Sequence, residues 1–383
     1  MANSGDPFSM LMSTLRAFHS LRFAAARDSI EQENQAVPPP PPPPPPRETP
    51  IANPPPRSTA PRRETNLDEE NLQSLTNSFR SASAALNPRE RETCLQSLFN
   101  LMNRNEEEED DAAPFQQLIS GLSGRDLQRM ASLLTSDSDD YFFGIASNKN
   151  GSKRLQKLLG RSGYADDLFA AAILRRFYDF MTDKQAYYVA VQGMRVFSRE
   201  KKTKMWRLIH LHAIQLACDR HGCVALDAIM TNVEDVDGRS HLMGMVAANA
   251  LLLSYDDYGN FVVQHVLKLD DLDCTWNIAV RLRGNCVELS FRKYGSYIVE
   301  KLLETEESTP LVVAELLGCE GLRLMRLARS EFGGFVVVKA LTTLTRGDHQ
   351  FWGLVNKLMP FLDLLRRSPG RTTVATFLES LHH

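Results

Sequence analysis

A small residue that returns about every 36 positions constrains this chain more than any other feature. Gly151, Ala186, Gly222, Gly259, Gly295, Gly333 and Gly370 are separated by 35, 36, 37, 36, 38 and 37 residues. With that residue as place zero, further columns line up. Six places before it stand Ile145, Phe180, Leu216, Leu253, Leu289, Leu327 and Leu364. Four places after it stand Leu155, Ala190, Leu226, Val263, Val299, Val337 and Val374, and eight places after it Leu159, Met194, Met230, Leu267, Leu303, Leu341 and Leu378. A four-residue apolar step marks one face of a helix. Each copy therefore reads as a short helix, a glycine turn and a second amphipathic helix. One copy alone cannot bury its stripe, whereas a stack buries a continuous core. The predicted fold is all-α, a curved α-solenoid of about seven to eight such repeats. The glycine suits either a positive φ or a close backbone approach.

Composition divides the chain in the same place. Of 20 prolines, 14 lie between Pro38 and Pro61, and beyond Pro114 only Pro310, Pro360 and Pro369 remain. Residues 1–70, with the unbroken run Pro38 to Pro46, are predicted to be a disordered tail, partly polyproline II. Residues 71–140 are expected to form a helical cap or degenerate first copy: Leu95, Leu98, Leu101 and Met102 keep helical spacing, as do Phe115, Leu118, Leu122 and Leu127, around an acidic loop from Glu106 to Asp111. Residues 141–383 are the array. The net charge of -3 argues against a strongly basic nucleic-acid binder, but it splits unevenly: 13 Lys+Arg against 21 Asp+Glu up to residue 140, then 31 against 26.

Several classes of function find no support. The six cysteines have no framework spacing, and Cys218, His221 and Cys223 lack a fourth zinc ligand. No metal or other cofactor is expected. His210 and His212 point to opposite sides of a helix. The longest apolar stretch, Leu242 to Leu253, is too short to cross a bilayer, so no membrane association is expected. Residues 8–27 are expected to be disordered tail with one amphipathic turn; their Arg, Ser and apolar residues without acid suit an organelle transit segment as the alternative. No nucleotide-binding, metalloprotease or hydrolase motif occurs, and no enzymatic activity is expected. Arg199, Lys201, Lys202, Lys204 and Arg207 form a basic cluster suited to phosphate contact, to nuclear import or simply to a solvated helix face.

Places one and five are an i, i+4 pair off the core face, with place two beside them. In copy four, Tyr-Gly-Asn-Phe-Val-Val-Gln, the pair is Asn260 and Gln264 with Phe261 alongside. In copy five, Tyr-Gly-Ser-Tyr-Ile-Val-Glu, it is Ser296 and Glu300 with Tyr297. Two hydrogen-bonding side chains and an aromatic plane can hold one unstacked base by its edge and face.

These two motifs resemble the repeats of the Pumilio (PUF) family, most closely its short, divergent plant members. The resemblance covers about residues 141 to 383 and implies sequence-selective binding of single-stranded RNA, one base per repeat and antiparallel to the array, as at mRNA 3′ untranslated regions. Carried over by position, it makes Asn260 with Gln264 a uracil reader, Ser296 with Glu300 a guanine reader and Ser152 with Gln156 an adenine reader. Phe261, Tyr297, Lys153, Phe335 and Tyr188 would stack on bases. Cys223 matches the first position of an adenine reader, but Asp227 replaces the expected Gln and Val224 the expected aromatic or Arg. Tyr187, Tyr188 and Val191, then Gly334, Phe335 and Val338, then Arg371, Thr372 and Ala375 carry no recognisable code. The implied register is 5′-N-N-G-U-(A)-N-A-3′. The resemblance further implies a cytoplasmic monomer, with the nucleus or nucleolus as alternative, regulating translation and mRNA stability with protein co-repressors. The competing expectation is a solenoid with a decayed base code, acting as a scaffold for protein or structural RNA.

Overall fold

The computed structural model describes residues 101–103, 115, 119, 122–136, 139–367 and 373–382. All belong to the compact unit Arg63–His383. The expected disordered tail, the transit-like segment, the acidic run, Leu95, Leu98 and Leu118 lie outside the described residues, as do Gly370, Arg371 and Thr372.

The described residues form seven copies of a helical unit, with no strand among them. A leading row consists of Gly124–Ser136, Gly163–Arg175, Arg199–Ala217, Val236–Ala248, Leu272–Leu282, Thr309–Gly318 and His349–Leu358. A glycine-led row consists of Lys149–Leu158, Ala186–Val196, Gly222–Asn232, Gly259–Lys268, Lys293–Leu302, Gly333–Thr343 and Thr373–Glu379. Within each row every helix packs on the next, the connectivity of a curved α-solenoid. Short helices join the rows, such as Ala250–Tyr255 in copy four and Cys286–Ser290 in copy five.

Six of the seven copies thus have three helices where the spacing predicted two. Leading and short helices are parted by backbone breaks at Arg176 and Asn249, and by Gly284, whose φ is +84°. Copy three has no break, and its leading helix runs on to Ala217 as the short one. Because Gly124–Ser136 packs in line with Gly163–Arg175, copy one reaches back to residue 124, and a boundary at 141 would cut through it.

The apolar columns form the core. Every residue at place four and place eight is buried, from Leu155 and Leu159 through Val374 and Leu378. Each such side chain contributes about 1.5–3 kcal/mol of burial free energy. Place minus six is buried in copies one to six, but Leu364 is 42% exposed and Leu365 takes its place. The cause is local: a 3₁₀ turn around Pro360, Met359–Phe361, shifts the helical phase before Leu362–Arg366.

The glycine column serves close approach. Positive φ occurs at Gly160, Gly284 and Asp270, not at the described column glycines. A Cβ at Gly295 would stand 2.4 Å from the carbonyl oxygen of Leu289, and one at Gly222 2.5 Å from that of Leu216. At these glycines the glycine-led helix starts against the last carbonyls of the short helix, where no side chain fits, and only copy two, with Ala186, admits a methyl group.

In front of copy one, Met102, Phe115 and Ile119 complete the core, and the buried Arg154 donates from Nη1 to the carbonyls of Leu101 (2.6 Å) and Met102 (2.8 Å). At place three, Arg154 stands where later copies have Val189, Ala225, Val262, Ile298 and Val336. The first copy thereby trades an apolar contact for a charge-assisted clasp on the preceding segment.

Candidate nucleic-acid interface

A column not singled out above starts the glycine-led helices. Three places before the small residue, Asp256 accepts from the N–H groups of Tyr258 (3.0 Å) and Gly259 (2.8 Å). Asp219 does the same for His221 and Gly222, Asp183 for Gln185 and Ala186, and Asn148 for Asn150 and Gly151. Ser330 reaches Gly333 alone. These bonds satisfy helix-terminal donors and fix the direction of each helix. Copy five has Arg292 there, and its guanidinium lies 4.9 Å from the ring centre of Tyr255 in copy four. The same alignment that revealed the glycine holds this column, as Asn, Asp and Ser at one offset.

Place two forms an exposed row. Phe261 is 40% exposed and Tyr297 47%, and Lys153, Tyr188, Val224 and Phe335 share the position and the exposure. Tyr188 stacks on Tyr187 at 4.0 Å. Phe261 meets the edge of Tyr294 at 5.0 Å, and Tyr294 is itself exposed one turn before Tyr297. Tyr258 and Tyr294, the tyrosines of the two Tyr-Gly dipeptides, therefore widen the aromatic strip, a contribution the place-one, two and five scheme omits.

Place one is not on the surface, contrary to the face expected from i, i+4 spacing. Asn260 is 2% exposed, and Ser152, Ser296 and Cys223 are equally enclosed. The side chain of a residue in the first turn bonds nearby backbone carbonyls, those of the preceding turn at Asn260, Ser296 and Cys223 and that of Gln185 in the next copy at Ser152. Asn260 Nδ2 donates to the carbonyls of Asp256 (2.8 Å) and Asp257 (3.0 Å), Ser296 Oγ to that of Lys293 (2.9 Å), Ser152 Oγ to that of Gln185 (2.8 Å) and Cys223 Sγ to that of Arg220. Their donors are spent on backbone.

Place five carries the accessible polar edge. Gln264 Nε2 donates to Asn260 Oδ1 at 3.1 Å, and Gln156 Nε2 to Ser152 Oγ at 3.3 Å. Place one thus orients place five in copies one and four: Gln264 keeps its carbonyl and a second N–H, whereas Gln156 Nε2 also donates to the Ser152 carbonyl at 3.3 Å and keeps its own carbonyl. The two carboxylates at this place differ. Glu300 Oε1 and Asp227 Oδ1 are buried and accept no hydrogen bond. Burial pushes both carboxyls up, with Lys339 pulling Glu300 down and Lys268 pulling Asp227 down; Asp227 rises to about 7. Val191 in copy two and Val338 in copy six offer no polar edge.

The basic cluster lies on the leading row, apart from this strip. Lys201 pairs with Asp167 at 2.6 Å, Lys204 with Glu200 at 2.7 Å, and Lys202 donates to the Arg195 carbonyl. His210 stacks on Trp206 and sits 3.1 Å from the Gly238 carbonyl, whereas His212 bonds Gln215. Among the described residues no group of His, Cys, Asp or Glu is arranged to hold a metal ion, and no helix is long and apolar enough to cross a membrane.

Residues 212–226, 249–272 and 285–317 match the family model described as the Pumilio-family RNA binding repeat. Pumilio homolog 18 of Arabidopsis thaliana is 57% identical over 286 residues, covering 74% of this chain and 85% of that protein. Pumilio homolog 20 of the same plant is 49% identical over 368 residues, 95% of this chain and 99% of that one. Among solved structures, a Puf4 RNA binding domain bound to a 3′ UTR recognition sequence aligns at a TM-score of 0.63 and 19% identity, covering 80% of this chain and 95% of that one. The RNA-binding domain of yeast Puf5p bound to SMX2 RNA aligns at 0.59 and 16%, covering 81% and 93%. The chain belongs to the Pumilio family.

Proposed function

We propose that the glycine-led row binds single-stranded RNA in a sequence-selective way, reading G at copy five and U at copy four. The observation that carries this reading is the pairing, one repeat apart, of an exposed aromatic ring with a half-buried polar side chain at place five: Phe261 with Gln264, then Tyr297 with Glu300. Guanine presents two donors, N1–H and its amino group, to the Glu300 carboxylate; its Oε1 is enclosed without a partner, so turning the carboxylate outward to meet them recovers the cost of leaving that oxygen bare. Uracil presents a donor at N3 and an acceptor at O4, the complement of the Gln264 amide. Asn260 acts behind this edge by holding Gln264 in place. Gln156, held by Ser152, would read adenine in copy one, with the Lys153 stem against the base. Tyr188 and Phe335 stack without reading.

The targets are mRNA 3′ untranslated elements with a G-U core, and the consequence is regulation of translation and mRNA stability by a cytoplasmic monomer, with protein co-repressors as further partners. The Puf4 domain solved on a 3′ UTR recognition sequence supports this direction. In the test, Glu300→Ala should weaken binding of a G-U RNA by about 1–3 kcal/mol and erase the preference for G at that position. Unchanged affinity and preference would remove the proposal.

A further inference from the structure

Copy three breaks the pattern at place five, where Asp227 stands between Val191 before it and Gln264 after it. Its Oδ1 is buried without a partner, and its Oδ2 lies 3.8 Å from Nδ1 of His265 on the next glycine-led helix, too far for a hydrogen bond. The other nitrogen of that ring is 3.1 Å from Thr231 Oγ1. An enclosed carboxylate so placed lacks the bonds that would hold its charge.

The groups around it do not supply them. Lys268 is the charge among the described residues that acts on Asp227, and it only offsets burial, which pushes the carboxyl up to about 7. Burial, with Asp227 itself, pushes the Cys223 thiol on the same helix up to about 11. Burial and Lys268 hold the His265 ring below its ordinary value. The Cys223 thiol is therefore neutral where Asp227 titrates, and the His265 ring takes up a proton less readily than a free imidazole. The preceding helix brings the buried, uncharged Val191 to the same level.

We propose that copy three takes a purine and that Asp227 chooses which one: as a neutral acid it donates to N1 and accepts from the 6-amino group of adenine, and as a carboxylate it accepts from N1–H and the 2-amino group of guanine. This inference rests on base reading by the glycine-led row. A neutral carboxyl offers one donor and one acceptor, as an amide does, while the ionised form offers acceptors only. Asp is a methylene shorter than the glutamines at the same place, so the base edge must reach farther, which a purine does and a pyrimidine does not. The neutral form prevails below the raised value and is lost as pH rises through it. Preference therefore passes from adenine to guanine with increasing pH, across a span where the adenine ring keeps one protonation state.

The test measures affinity of the full chain for two short single-stranded RNAs that differ only in A or G immediately 3′ of the G-U core, at about pH 6 and about pH 8.5. Between those values the neutral fraction of a group titrating near 7 falls about thirtyfold, and the A-to-G affinity ratio should fall by at least that factor. Asp227→Gln should prefer adenine at both pH values. A wild-type ratio that does not move with pH, or a shift that survives in Asp227→Gln but disappears in His265→Gln, overturns the inference. A third RNA with the G-U core replaced separates the failures: if it binds as well as the other two, base reading itself has failed, whereas discrimination at G-U with a pH-independent ratio defeats only the role of Asp227.

Discussion

Replacing Gly295 by alanine tests the close-approach role of the glycine column. The new Cβ would lie 2.4 Å from the Leu289 carbonyl oxygen, 3.0 Å from its carbon and 3.1 Å from its Cα. Restoring ordinary contact requires a movement of roughly 1 Å between two helices whose separation is held by Val299 and Leu303 in a fully buried core. Overpacking of this kind costs about 1–3 kcal/mol, and the obstacle is backbone, which cannot turn aside. Alanine returns about 1 kcal/mol as the better helix former. Because the clash is with backbone, the upper end of that overpacking range applies, and a net loss of up to about 2 kcal/mol follows for Gly295→Ala. Gly259→Ala should cost less than about 1 kcal/mol, because its nearest neighbours are the Leu253 side chain at 2.9 Å and carbonyl oxygen at 3.0 Å. Gly244→Ala, with nothing within 4 Å, should gain about 0.5–1 kcal/mol. Ala186 shows that one copy is built to admit the methyl group. Urea unfolding midpoints at unchanged slope measure all three. If Gly295→Ala were as stable as the parent, or Gly259→Ala the worse of the two, the close-approach account of the column would be wrong.

Asp256→Ala removes the acceptor for two helix-terminal N–H groups and should cost about 1 kcal/mol in the same assay, with earlier hydrogen exchange at Tyr258 and Gly259. Phe261→Ala and Tyr297→Ala should each weaken RNA binding by about 1–3 kcal/mol without changing which base is preferred, as titration with base-substituted RNAs would show. For Asp227 the folded carboxyl titrates near 7 and the unfolded one near its ordinary value, so its neutral-form stability is lost as pH rises between the two. Asp227→Asn should therefore raise stability at about pH 8 by about 1 kcal/mol after solvent screening and leave it unchanged near pH 4, by thermal unfolding at both. Arg154→Ala should free residues 101–103 for proteolysis, since their carbonyls lose two charge-assisted bonds.

The core was legible because a helix face repeats and burial follows it: places four and eight are buried in every copy. The leading row was not, since the copies differ in length by up to three residues and its helices drift out of phase with the glycine. In Leu272–Leu282 the buried face is Cys274, Thr275, Ile278, Ala279 and Leu282, a stripe with two polar-capable members that reads weakly as core. Leu364 was misplaced because Pro360 introduces a 3₁₀ turn that no periodic rule contains. At the candidate interface, spacing sets Asn260 one turn before Gln264, and the two side chains bond each other. Spacing could not tell which member of each pair faces outward, because an ideal helix has no end. The first-turn position turns Asn260 and Ser296 inward, and only coordinates show their donors already spent.

The central claim is that copies four and five read bases, and selection of bound RNA from a random single-stranded pool by the full chain tests it most directly. G followed by U should be enriched at one fixed register and retained at moderate salt, because edges and stacking carry the binding. A pool that is bound but unenriched, with binding lost as salt rises, would mean phosphate attraction alone and would contradict the claim.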